Sequence, residues 1–142
     1  MPAERFLTLS VLPRSPDLGL LVLRVAVGGS LFLKHGWEKV AHFSQMSAHF
    51  PDPIHIGAVP SLVVALISDA VCSLLLVLGL ATRWAALIIG VNIAVAWALV
   101  HHLEFFGHQA DHGEVCFLYL VASAGLFFSG PGRFSLDRRL GG

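Results

Sequence analysis

Apolar residues run through this chain in four long blocks, separated by short polar or proline-containing stretches, with no strict alternation that would suggest strands. The blocks are Leu18 to about Trp37, Pro60 to Ala81, Trp84 to about Leu103, and about Gly113 to Gly130. Each approaches the ~20 residues that an α-helix needs to cross a hydrocarbon core. Backbone N–H and C=O groups find no water in lipid, so each block is predicted to be a helix. Pro51, Pro53 and Pro60 break up the first long connection, Thr82 and Arg83 mark a tight turn, and Gly130, Pro131 and Gly132 stop the last helix. The expectation is an all-α fold: one four-transmembrane-helix bundle over residues 1–142.

Composition agrees with lipid as the solvent. Charged residues make up 13% of the chain and mean hydropathy is +0.77, against roughly 25% charged residues in ordinary soluble domains. Basic and acidic residues balance at nine each without a basic cluster, which excludes nucleic acid as a partner. Cys72 and Cys116 lie in separate apolar runs with neither CxxC nor metal-type spacing, and read as small buried hydrophobes. Between Met1 and Asp17, Pro13 interrupts the apolar stretch before it reaches the length of a signal-peptide core, so no cleaved leader is expected.

Charge also orients the bundle. Arg5, Arg14, Arg83, Arg133, Arg138 and Arg139 fall on one face, against Lys34 and Lys39 on the other, so both termini are expected in the cytoplasm of a cell with an inner membrane. All eight histidines, His35, His42, His49, His55, His101, His102, His108 and His112, then lie in or beside the outward loops.

Ionisable side chains at membrane depth cost roughly 2.5–3.5 kcal/mol each on insertion scales, which makes them functional candidates. A rise of ~1.5 Å per residue puts Arg24, Asp69 and Asn92 about 13–19 Å below the outer boundary. A lower tier is therefore expected, in which Arg24 pairs with Asp69 and Asn92 hydrogen-bonds beside them. The competing reading has Arg24 snorkelling to the cytoplasmic headgroups. An upper tier gathers His35, Glu38 and Lys39 at the end of the first span, His101 and His102 at the end of the third, and Glu114 at the start of the fourth. Arg24, Gly28, Leu31, His35, Glu38 or Lys39, and His42 recur at helical spacing along one stripe. The candidate catalytic residues are Arg24, His35, Lys39, Asp69, Asn92 and Glu114. The segment HHLEFFGHQADHGE offers His101, His102, His108 and His112 as metal ligands, with His108 and His112 spaced for one helical turn.

Several pieces carry a family resemblance: LRVAVG at Leu23 to Gly28, HGWEK at His35 to Lys39, LGLATR at Leu78 to Arg83, HHLEFFG at His101 to Gly107, and GPGRFSLD at Gly130 to Asp137. In that order the chain resembles the DoxX family of small bacterial and archaeal membrane proteins. One departure is an aspartate, Asp69, in the second helix where relatives commonly carry a glutamate near its start. The resemblance implies a four-helix membrane protein. Some relatives are subunits linked to thiosulfate oxidation with a quinone acceptor, and others are associated with oxidative-stress complexes.

Three functions follow as candidates. In the first, a redox subunit takes a quinone from the lipid, with His35, His101 or His102 donating to a carbonyl and Asp69 or Glu114 supplying a proton. No flavin fingerprint, CxxC or cluster ligand set is present, so electrons come from another subunit or from a haem held by His35 with His101 or His102. In the second, the chain is a non-catalytic accessory or assembly subunit of a larger membrane complex, or a homo-oligomer, its buried charges setting helix register. The third is an outward metal-binding protein.

Overall fold

A computed structural model describes residues 13–105 and 111–141, without the side chains of residues 111 and 112. The described residues are helical and contain no strand. Three helices are long and apolar enough to cross a membrane: α1, Pro16–Ala41; α3, Ala58–Leu78; and α4, Thr82–Val100. A short α2, Phe43–Met46, lies in the first connection. The fourth long helix, α5, is Asp111–Ser129, whose apolar part, Gly113–Ser129, is shorter; α6, Leu136–Leu140, follows.

Local signals start and stop these helices. Ser15 caps α1 by accepting from the Leu18 amide, with Pro16 at the first helical position. The start of α3 is capped from a distance. Asp52 accepts from the amides of Ile56 and Gly57 and from the Ser61 hydroxyl, at 3.0, 2.8 and 2.8 Å. The tight turn expected at Thr82 and Arg83 lies one step earlier, at Gly79 to Ala81, because Gly79 takes the left-handed conformation that ends α3. Asp137 then caps α4, accepting from the amides of Ala81 and Thr82 at 2.6 and 2.9 Å. The first span also differs from expectation: its helix continues past Trp37 to Ala41, which keeps Lys39 helical.

The long helices pack in the order α1, α3, α4, α5, closing into a ring on α1. Two glycines set the register of α1 against α3. A side chain at Gly28 would strike Ser73 and Leu76, and one at Gly36 would strike the backbone of Asp69 and Ala70. Backbone-to-backbone approach of this kind is what small residues allow in helices without a hydrophobic driving force. At the centre, Leu31, Leu76, Ile89 and Leu126 are essentially without exposed surface and belong to one apolar cluster with Cys72 and Cys116. The outside is apolar as well, with Leu33, Val22, Leu118 and Phe128 all well exposed. A surface as apolar as the core, with the buried charges Arg24, Lys39 and Asp69 held inside, is the pattern of a protein solvated by lipid.

All three helices long enough to cross a membrane contain a π-helical turn, at Phe32–Gly36 in α1, Ile67–Cys72 in α3 and Ala96–Val100 in α4. A π turn inserts one residue and advances the phase of everything beyond it. In α1 the buried positions run Arg24, Val27, Gly28, Leu31 and then Gly36 and Lys39. The extra residue turns Lys39 inward.

Candidate functional site

Where the π turns of α1 and α3 meet, the buried polar side chains converge. The ammonium of Lys39 lies 2.9 Å from one carboxylate oxygen of Asp69, and the amide of Asn92 donates to the other at 3.2 Å. Lys39 also donates to the backbone carbonyl of His35 at 3.4 Å, one of the acceptors in the π turn. Ser73 donates to the carbonyl of Asp69 at 2.7 Å, satisfying a group that the π turn of α3 would otherwise leave open. The side chains of Lys39 and Asp69 are only 11% and 8% exposed, so this is an ion pair in a low-dielectric interior.

These groups form the polar side of a cavity of about 340 Å³. His35 and His101 line it too, while Leu31, Ala65, Ile93, Val100 and Val115 supply apolar wall. Tyr119 and Cys116 contribute from α5, and Phe50, Pro51, Pro53 and Ile54 of the first connection cover it. Asp52 sits within that covering segment and ties it to the start of α3. Its carboxyl is held below the usual carboxylate range. Desolvation pushes upward, but donation from the Ser61 hydroxyl and the Gly57 and Ile56 amides outweighs it. The volume is at the lower end of the roughly 300–1,000 Å³ of small-molecule sites, and apolar walls with a few convergent polar groups are their usual chemistry.

The lower tier expected from the sequence is only half present. Asp69 and Asn92 meet, but Arg24 does not pair with Asp69. Gly36 is level with Asp69 and Gly28 with Ser73, so Arg24 is carried ~18 Å down α1 from the site. There it is fully buried and donates to the carbonyls of Leu76, Val77 and Phe134. Leu76 and Val77 close α3, so a cation faces the negative end of that helix. It does not snorkel. Arg24 instead fastens the end of α3 to the segment before α6, with Gly79 so close that any side chain there would strike the guanidinium and Ser135.

The upper tier divides in the same way. His35, Lys39 and His101 reach the cavity, whereas His102, Glu38 and Glu114 are exposed and absent from its lining. His108 lies outside the described residues, as does the side chain of His112, so the four-histidine metal set is not assembled from what is described. Among the described residues no group of three or more metal-ligating side chains occurs. Two participants went unread in the sequence. Asp52 could have been found from its place in a Pro-Asp-Pro turn just before an apolar run, a usual helix-start signal. Tyr119, on the wall of the cavity, left no signal among the other apolar residues of α5.

Residues 19–102 match the model of the DoxX family, from the start of α1 to the end of α4, a stretch that contains Arg24, Lys39, Asp69, Asn92 and His101. The chain belongs to the DoxX family. Two uncharacterized proteins of Haemophilus influenzae are similar to it. One is 36% identical over 129 residues, covering 84% of this chain and 89% of the relative. The other is 29% identical over 126 residues, covering 84% and 82%. No solved structure matches. In this DoxX family membrane protein, HGWEK supplies Gly36 and Lys39 to the site, while LGLATR supplies Gly79 and Thr82 to the opposite end.

Proposed function

We propose that this DoxX protein is a quinone-associated, redox-linked membrane subunit that spans the bilayer four times, with both termini cytoplasmic and the cavity near the outer face. The observation that carries the reading is the Lys39, Asp69 and Asn92 cluster set into an apolar cavity inside the bundle. Lys39 is neutralised by Asp69, so the site favours an uncharged head with carbonyl acceptors over an oxyanion. Lys39, Asn92, His35 and His101 are the cavity-lining side chains with N–H groups that such carbonyls could meet. Reducing a quinone to the quinol takes two electrons and two protons. Titratable groups at the cavity can pass protons, while the electrons come from a donor in a partner subunit at the outer face. Orientation is supported by Arg83, Arg133, Arg138 and Arg139, which lie beyond the α3, α4 and α5 ends remote from the cavity.

Two measurements test this. Purified protein titrated with a short-chain ubiquinone should show saturable quenching of tryptophan fluorescence, weakened at least tenfold by Asp69→Asn. Equal quenching of wild type and variant would remove the site assignment. In the native complex, Asp69→Asn and His35→Ala should lower turnover while assembly persists. Loss of assembly with normal turnover in whatever assembles would instead make the chain an accessory subunit.

A further inference from the structure

The cavity sits among four helices, yet the seams around it are unequally closed. Gly28 and Gly36 bring α1 hard against α3, and α4 packs along α5, where Ser123 faces Gly90. The seam between α5 and α1 is the most sparsely packed of the ring. At that seam Tyr119 of α5 donates to the hydroxyl of Ser30 on α1 at 2.9 Å. Tyr119 is also part of the cavity wall, and Leu31, next to Ser30, lines it from the other side. Ser30 itself is exposed on the apolar outside of the bundle and passes its proton to the carbonyl of Ala26 at 2.6 Å. This hydrogen bond therefore spans the seam from the cavity wall to the surface that faces lipid.

We propose that the seam between α1 and α5 is a lateral entrance to the cavity, latched by the Tyr119 and Ser30 hydrogen bond. The ligand class follows: a membrane-dissolved molecule whose small polar head lodges against Lys39, Asp69 and Asn92 while its apolar tail leaves through the seam. This rests on the cavity being a ligand site, and it specifies the route and the tail. A head without a tail has no reason to use the seam. A tailed molecule needs an opening to lipid for its chain, and this seam is the most sparsely packed of the four.

The latch is tested by comparing decylubiquinone, which carries a ten-carbon tail, with tail-less ubiquinone-0, using stopped-flow tryptophan quenching in proteoliposomes. Tyr119→Phe and Ser30→Ala each remove the bond with little change in shape. Either should raise both the association and dissociation rates of decylubiquinone by roughly fivefold, the factor of one neutral hydrogen bond. In Ser30→Ala, which leaves the cavity lining intact, affinity should change by less than twofold, and the rates of ubiquinone-0 should not change. Equal acceleration of both quinones, or of neither, overturns the latch. A second measurement needs no ligand. Spin labels at Leu33 on α1 and Leu118 on α5, both exposed, in a C72A/C116A background, should give a longer and broader distance distribution in Tyr119→Phe than with Tyr119 intact. An unchanged distribution overturns the entrance even if quinone binds. Absence of all quinone binding alongside a broadened distribution overturns the quinone reading and leaves the entrance standing.

Discussion

Removing one partner of the Lys39 and Asp69 pair is the sharpest perturbation the structure offers. Both side chains are about nine-tenths buried and 2.9 Å apart, so little screening by water reduces their attraction. In Asp69→Ala, Lys39 is left with one acceptor, the carbonyl of His35 at 3.4 Å. An uncompensated buried charge typically costs about 3–5 kcal/mol. In Lys39→Met the carboxylate keeps the Asn92 amide, so the loss should fall at the lower end of that range, about 3 kcal/mol. The double variant, Lys39→Met with Asp69→Ala, replaces the pair by apolar groups of suitable size. Such replacements are often neutral or better, which predicts a stability within about 1 kcal/mol of wild type. The cycle should then give a coupling of at least ~5 kcal/mol, read from reversible unfolding in mixed micelles titrated with denaturing detergent. If the losses of the two single variants simply add in the double variant, the two groups do not depend on each other, and the polar cluster described above is not the unit it is taken to be.

Gly36→Ala would place a Cβ 2.8 Å from the Asp69 carbonyl carbon and 2.9 Å from the Ala70 Cα; it should cost about 1–3 kcal/mol and weaken quinone binding more than it lowers stability. Arg24→Met takes the donor from three carbonyls at the other end of the bundle. It should destabilise by several kcal/mol while the dissociation constant of any folded fraction for quinone stays within twofold. Asp52 has a folded-state pKa below its unfolded value near ~3.9, so its contribution is present above that pH and is lost as pH falls through the folded value. The protection of the Ile56 and Gly57 amides against hydrogen exchange, relative to the intrinsic rate at each pH, should therefore fall at acid pH in wild type, and in Asp52→Asn it should be low already at neutral pH.

The apolar runs made the helices legible because lipid leaves the backbone one way to satisfy itself, and the scarcity of polar and ionisable residues in and beside those runs pointed to Lys39, Asp69 and Asn92. What the sequence hid was phase. A straight-helix count places His35 and either Glu38 or Lys39 on the stripe of Arg24 and Gly28. The π turn at Phe32–Gly36 moves the buried face to Gly36 and Lys39 and leaves Glu38 outside. No residue type in FLKHG announces that insertion. Relative level was hidden for a related reason: the first helix runs on to Ala41, and Gly36, twelve residues beyond Arg24, is the residue of α1 that lies against Asp69.

Arg24 and Lys39 show how two buried cations of one helix come to have different uses. The donors of Arg24 that find partners go to backbone carbonyls at the close of α3 and before α6, acceptors that cannot move without unfolding a helix end. Lys39 is paired with a carboxylate whose second oxygen is held by a side-chain amide, and all three of those side chains face a cavity. Side-chain partners can turn toward a ligand at the cost of a rotamer change, whereas carbonyl partners are fixed by the fold. Asp137 follows the same rule as Arg24. Burial raises its pKa, but the Thr82 and Ala81 amides more than offset this and hold the carboxyl below its ordinary value, so it caps a helix instead of exchanging protons. Within this bundle, then, the chemistry of the partner separates site from scaffold better than the cost of burying the charge: changes at Lys39 and Asp69 should alter ligand binding as well as stability, whereas changes at Arg24 and Asp137 should alter stability alone.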